Sequence, residues 1–246
     1  MHDISIWILI AAVFLLAGTV KGVIGGGLPT IGIGLMGLVI PPAQAAALIV
    51  LPSLVTNVWQ SFGANFLPLL KRLWLMQVSI VVGSLFAYGV MTGSDADMVR
   101  AGLGLALIAY AVSGLLKIRL HLGPRAEFWL ASPVGLATGA IGAATGVFVV
   151  PSALYLQGIG LDKDDLVQAL GITYTVSTVA LAAALYEGGA MHVSVAGPSV
   201  LALAVSLLGM KIGQSIRARV QEKTFLLLFF IGLLLIGLHL VLRTVL

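Results

Sequence analysis

The sequence predicts an all-α polytopic membrane protein, because 60% of its 246 residues are hydrophobic, only 9% are charged, and the apolar residues fall in long blocks between short joints. The mean hydropathy is +1.13. Soluble domains run at ~45–50% apolar and ~25% charged residues, so a soluble fold could not cover this much apolar surface. Each helical crossing takes about 20 residues, which leaves room for roughly eight to ten membrane segments and no sizeable aqueous domain. One integral-membrane domain over residues 1–246 is expected, in the inner (plasma) membrane of a bacterial cell.

Charges and turn residues divide the chain into apolar blocks at 4–24, 28–40, 43–64, 73–92, 98–116, 126–141, 145–157, 166–186, 193–210 and 224–242. The stretch Met1–Ser5 carries Asp3 and no Lys or Arg, so it lacks the basic start of a signal peptide, and the first block is read as structural. The net charge of +4 comes from Lys and Arg scattered in short joints. Nothing there forms a basic patch interleaved with aromatics, so the charge reads as membrane topology and no nucleic-acid partner is expected. Cys is absent, which excludes disulfides, thiolate metal sites and thiol catalysis. His2, His121, His192 and His239 are dispersed without partner spacing, which argues against an intramembrane enzyme. No cofactor is expected.

Blocks 28–40 and 145–157 are too short to span upright, and each follows another block across a glycine-rich break. Backbone leaves the helix at membrane depth only where protein or a watery cavity satisfies it. The two breaks are related: Gly18, Gly22 and Gly25 have the spacing of Gly135, Gly139 and Gly142, each at an offset of 117 residues. If both short blocks turn back, ten Lys and Arg fall on the cytoplasmic side (Lys71, Arg72, Lys117, Arg119, Arg125, Lys163, Lys211, Arg217, Arg219 and Lys223). Only Arg100 and Arg243 then fall outside. If each pair crosses once, the tally is six against six, so the excess of inside positive charge favours turning back. Each half then holds a glycine-broken hairpin plus three transmembrane helices. The halves, near 4–117 and 126–243, become inverted-topology repeats, the arrangement that points to a transporter's substrate site.

The run AGTVKGVIGGGLPTIGIG from Ala17 to Gly34, echoed as GLATGAIGAATGVFVVP from Gly135 to Pro151, resembles the duplicated signature of the TauE/SafE sulfite exporter family. The second copy has Gly142-Ala143-Ala144 where a glycine triplet would stand. The resemblance covers essentially the whole chain. It implies export of small sulfur oxyanions or organosulfonates such as sulfite and sulfoacetate.

The residues suit an anion without the family name. Gly25, Gly26 and Gly27 allow positive φ angles and bring bare N–H groups close to a ligand. A helix restarting at Pro29 would aim its partly positive N-terminus at the break. At the second break Gly142 takes the place of Gly25 beside the substrate, Gly146 serves as a hinge, and Thr138 and Thr145 offer hydroxyl donors. Gly18, Gly22, Gly135 and Gly139 read as helix-packing positions. Lys21 is the one basic residue away from a joint. Its two readings are an anion's counter-charge within the membrane and a side chain that snorkels to cytoplasmic water. Ser53, Asn57 and Gln60 or Ser61 share one helix face, as do Tyr174, Ser177 and Thr178, with Thr173 and Thr175 beside them. Of these, Asn57, Gln60, Thr175 and Thr178 are taken as substrate contacts.

All nine carboxylates fall in joints or at block ends, so a carboxylate proton relay through the core is not expected. His192 beside Glu187 is the one titratable pair at an outer joint. The expected activity is secondary transport of a small anion by alternating access around the two breaks. A channel or uniporter for another anion and an importer stay open, as does the coupling ion. A membrane scaffold is disfavoured by joints too short for docking. The expected partners are the anion and the lipid bilayer, with a homodimer among the open assembly states.

Overall fold

The structure, a computed structural model, describes residues 4–118, 120–217 and 222–245. Asp3, His2, Arg119 and Arg219 therefore lie outside the described residues. Among the described residues, eleven α-helices follow one another: α1 Ile4–Ile24, α2 Leu28–Met36, α3 Pro42–Ser61, α4 Phe66–Phe86, α5 Val90–Gly93, α6 Ala96–Leu115, α7 Pro124–Thr145, α8 Val149–Gly158, α9 Lys163–Glu187, α10 Ala196–Arg217 and α11 Glu222–Val245. A 3-10 turn, Val193–Val195, leads into α10. There is no strand among the described residues. Eight helical segments are long and apolar enough to cross a bilayer, and the short α2 and α8 complete the set.

Two helices run through charged residues at which the sequence expectation placed a boundary. Lys71 and Arg72 sit inside α4, which begins at Phe66, and Lys211 sits inside α10. Lys and Arg are good helix formers whose long stems reach water from within a helix end, so charge does not mark the boundary there. Two starts carry side-chain caps: Asp95 accepts from Asp97 N at 3.0 Å before α6, and Asp162 accepts from Asp165 N at 2.8 Å before α9.

Contacts among the joints define two ends of the bundle. At the basic end, Asn65 Nδ2 donates to Asp165 at 2.7 Å, Arg72 donates to Glu127 and to Ile159 O, and Leu122 N donates to Gly158 O at 2.8 Å. At the far end, Arg100 Nε reaches Gly37 O at 3.4 Å, Arg243 donates to Leu38 O at 2.8 Å, and Gly188 abuts Thr92. The joint after α2 thus lies at the far end, where α1 begins with Trp7 near Gly197. The joint after α8 lies at the basic end, from which α7 starts. Each short helix returns to the end its predecessor came from.

Exposed Trp59, Phe62, Trp74, Phe128 and Trp129 gather toward the basic end, and Phe86, Tyr88 and Tyr186 toward the other. Aromatic rings at two levels match the two membrane interfaces. The Arg72–Glu127 pair lies at the first of these levels, bidentate at 2.7 and 2.9 Å, with the Arg72 side chain 41% exposed. Exposure outweighs geometry in such pairs, so Glu127→Gln is expected to cost no more than about 1 kcal/mol. Thermal unfolding of the detergent-solubilised variant checks this.

The helices pair through glycine. α1 lies along α10, where Gly18 meets the Ser206 backbone and Gly22 meets Met210 and Gly213. α7 lies along α4, where Gly135 meets Met76 and Ser79 and Gly139 meets Ile80 and Ser84. α6 and α11 touch through Gly104 and Gly237, and Gly171 brings α9 onto the backbone of Gln60 and Ser61 in α3. With no hydrophobic drive between helices in lipid, such close backbone approach supplies the packing contacts. The four glycines expected to serve packing do so.

Candidate functional site

The first break interrupts the membrane helix at Gly25–Gly27. Gly25 has φ 78° and Gly27 φ 90°, left-handed values that side chains rarely adopt. α2 starts at Leu28 with Pro29 in its first turn, where a missing N–H is harmless. Gln60 fixes the break from α3: its Nε2 donates to Gly25 O at 3.1 Å and to Val167 O of α9 at 2.8 Å. Gly26 has no heavy atom within 4 Å of where a Cβ would stand.

That open space belongs to a cavity of about 330 Å³ running from Lys117 and Leu226 at the basic end up to Gly26 and Gly27. Tyr110, Gln157 and Tyr174 also line it, and among the described residues no Asp or Glu does. A neighbouring depression of about 420 Å³ carries Asp162, Asp164 and Asp165 and meets the cavity at Val167. The chamber that touches the break is thus the one without carboxylates.

Lys21 does not snorkel: it is 3% exposed. Its Nζ donates to Thr56 Oγ1 at 3.0 Å and to Asn57 Oδ1. Asn57, fully buried, donates in turn to Thr178 Oγ1 at 3.4 Å, and the Thr178 hydroxyl donates to Tyr174 O at 2.6 Å. A hydrogen-bonded chain therefore joins Lys21 of α1 through α3 to the turn of α9 that bears Tyr174 on the cavity wall. Beside it Ser61 and Thr175 hydroxyls meet at 3.2 Å. The two ion pairs among the described residues are Arg72–Glu127 and Arg100–Asp97, so Lys21 has only neutral acceptors. A buried donor left without its acceptor costs ~1–3 kcal/mol, whereas a neutral interhelical bond averages ~0.6. Asn57→Leu is therefore expected to lower stability by about 2 kcal/mol and Thr178→Val by less than about 1, read as unfolding midpoints in detergent.

The second break is built differently, and two expectations change. α7 runs on as helix through Gly142 to Thr145, so the interruption falls at Gly146–Phe148 instead of 142–146. Gly142 is a helical residue against Phe148, and its carbonyl accepts Gly146 N at 2.7 Å. Only Gly146 has a positive φ there, 76°. The packing glycines keep the offset of 117, but the breaks themselves are 121 apart, because α7 carries one extra turn beyond Gly139. α8 also starts less cleanly than α2, with Val150 at φ −109°, ψ 128° inside its first turn.

Nor do the two breaks meet in one pocket. Ile33 of α2 and Met91 of α5 sit over Gly146, and from this region only Val149 reaches the cavity. The Thr145 hydroxyl donates to Ile141 O at 2.7 Å and accepts Val147 N at 3.2 Å, so it closes the end of α7. Thr138 is fully buried with its hydroxyl unpaired, outside the Lys21 chain. Lys21, Asn57, Gln60, Thr175 and Thr178 are brought together around Gly25–Gly27, while Thr138, Gly142, Thr145 and Gly146 form a separate group.

Sequence reasoning did not name Tyr110, Ser113, Lys117 or Gln157 as site residues, yet all line the cavity. Lys117 carried one signal, as a cation next to a helix end. The others became visible only when α6 and α8 were placed beside the break.

A model of the sulfite exporter TauE/SafE family matches residues 10–240. No curated protein and no solved structure gave a match. The match spans all but the ends of the helical bundle, including both breaks. The chain therefore belongs to the TauE/SafE sulfite exporter family, a family of membrane transporters and not of enzymes.

Proposed function

We propose that the protein is a secondary transporter that exports small anions, sulfite or an organosulfonate such as sulfoacetate, across the bacterial inner membrane. The observation that carries this reading is the cavity that ends on the bare backbone of Gly26 and Gly27, with Lys117 at its mouth and no carboxylate on its wall among the described residues. A helix N-terminus and an ammonium both favour negative guests. The basic end is the cytoplasmic one by its excess of Lys and Arg, so the cavity is the approach from the cytoplasm. Gly25, Gly26, Gly27, Pro29, Gln60 and Lys117 would border the anion first. Lys21, Asn57, Thr175 and Thr178 lie behind them.

Alternating access between inverted halves, near 4–117 and 126–243, is the mechanism we favour. Its support is the exchange of packing partners: α1 lies on α10 as α7 lies on α4, while α3 pairs with α9 and α6 with α11. Asn57 and Thr178, which touch where α3 crosses α9, are 121 residues apart, the separation of the two breaks. A pseudo-twofold axis through that crossing accounts for both facts. Thr138, Gly142, Thr145 and Gly146 would serve the outward-facing state, when Ile33 leaves Gly146.

The test is flux in proteoliposomes. Sulfite and sulfoacetate uptake should saturate with concentration and accelerate when the same anion is preloaded on the other side. Unsaturable flux at channel rates, or no movement of either anion, would remove this proposal.

A further inference from the structure

The amine of Lys21 is surrounded in a way that fits one protonation state when the site is empty and the other when an anion arrives. We propose that Lys21 gains a proton with each anion bound and gives it up when the anion leaves, so that anion and proton cross together. This rests on the anion-transport reading and adds its coupling.

The argument is one of donors and acceptors. Among the described residues Nζ has two acceptors, Thr56 Oγ1 and Asn57 Oδ1. Thr56 spends its own hydroxyl hydrogen on Pro52 O at 2.7 Å, and Asn57 spends its amide on Thr178, so both present lone pairs to Lys21. A neutral amine has two N–H donors and an ammonium has three. The neutral form places both its N–H groups on protein acceptors and leaves only a lone pair free, whereas the ammonium leaves its third N–H over, together with a full charge at 3% exposure. An anion oxygen supplies both missing things, an acceptor and a counter-charge.

Among the described residues no other group offers to neutralise Lys21. α2 and α3 carry no titratable side chain. On α10, Lys211 is exposed, and Arg217 closes the helix. α11 carries Glu222 and Lys223 at its start, and His239 and Arg243 toward its far end. On α9, Lys163, Asp164, Asp165, Tyr186 and Glu187 lie at the two ends, and Tyr174 is the titratable residue between them. No described carboxylate is buried. A carboxylate next to Lys21 would have kept it charged throughout, and its absence leaves the proton free to follow the anion.

The balance of the cycle is simple. Amine, proton and anion combine into an ammonium–anion pair on one side, and the same three separate on the other. A monoanion then crosses without net charge, and a dianion such as sulfoacetate leaves one negative charge on which the membrane potential acts. Arginine at this position would stay charged, because a guanidinium does not deprotonate in proteins.

The experiment uses sulfoacetate, which stays ionised between pH 6 and 8, so any proton must travel on the protein. Proteoliposomes holding a pH dye, with the potential clamped at zero, receive a sulfoacetate gradient; sulfite serves as a second anion. Wild type should shift lumenal pH by about one proton per anion moved. Lys21→Arg should lose at least tenfold in net, pH-linked flux, and whatever anion flux remains should carry no proton with it. Calorimetric titration in buffers of different ionisation enthalpy should give proton uptake on binding for wild type and none for Lys21→Arg, a readout independent of transport. Anion flux without any pH change in wild type, or equal proton uptake by Lys21→Arg, overturns the coupling while leaving anion transport intact. A wild type that moves neither anion defeats the transport reading and the coupling with it.

Discussion

Gly139→Leu is expected to abolish accumulation of the folded protein in the membrane. A Cβ at Gly139 would overlap Ile80 O and stand 2.7 Å from Ser84 N, both backbone atoms of α4, so no side-chain rotation relieves the clash. α7 would have to move off α4 along the whole contact, taking Gly135 and the reciprocal contact of Gly83 with Leu136 O with it. Overpacking that a flexible side chain can absorb costs ~1–3 kcal/mol, and a rigid backbone contact costs more than that against total stabilities of ~5–15. Loss of the monodisperse detergent peak, measured beside wild type at matched expression, checks it. Recovery of a normal peak would mean that α4 and α7 separate easily.

Gly26→Leu is expected to do the opposite: normal yield and melting behaviour, with transport lost. Gly26 has no positive φ, and no heavy atom lies within 4 Å of the place a Cβ would take, so the first carbon of a side chain meets no steric obstacle. It would project into the cavity and cover the amides next to α2. Gly25 and Gly27 are not equivalent to it, since at φ 78° and 90° any L side chain adds about 1–2 kcal/mol of backbone strain. Flux of sulfite and sulfoacetate in proteoliposomes decides the matter. Retained flux would show that the anion does not pass Gly26.

The contrast between these two glycines marks what sequence could convey. Gly18, Gly22, Gly135 and Gly139 stand four apart, a helical period, so their packing role was legible from spacing alone. The triplet at Gly25–Gly27 was legible as a break because three helix-destabilising residues in a row serve no packing surface. The second break was misplaced by a turn, since Gly142 continues the glycine period and so looked like the partner of Gly25. A single glycine, Gly146, ends the helix there, and nothing local distinguishes it from its neighbours. Lys21 was left between two readings because its depth depends on which side of α1 faces α3. Thr56, its second acceptor, went unnamed for the same reason. The cavity wall was illegible at Tyr110 and Gln157, whose neighbours in sequence are ordinary membrane-helix residues and whose role comes from distant helices.

The helix α2 has nine residues, which makes it about 13 Å long. Its first residue follows Gly27 at the first interruption, and its Ile33 rests on Gly146 at the second. In the alternating-access reading, one short rod would serve as latch at one doorway and threshold at the other. Lifting the latch would then displace the threshold, so that the two doorways could not be cleared independently. A cell that maintains an ion gradient gains from that linkage, because a continuous water file through the protein would need both to stand open together.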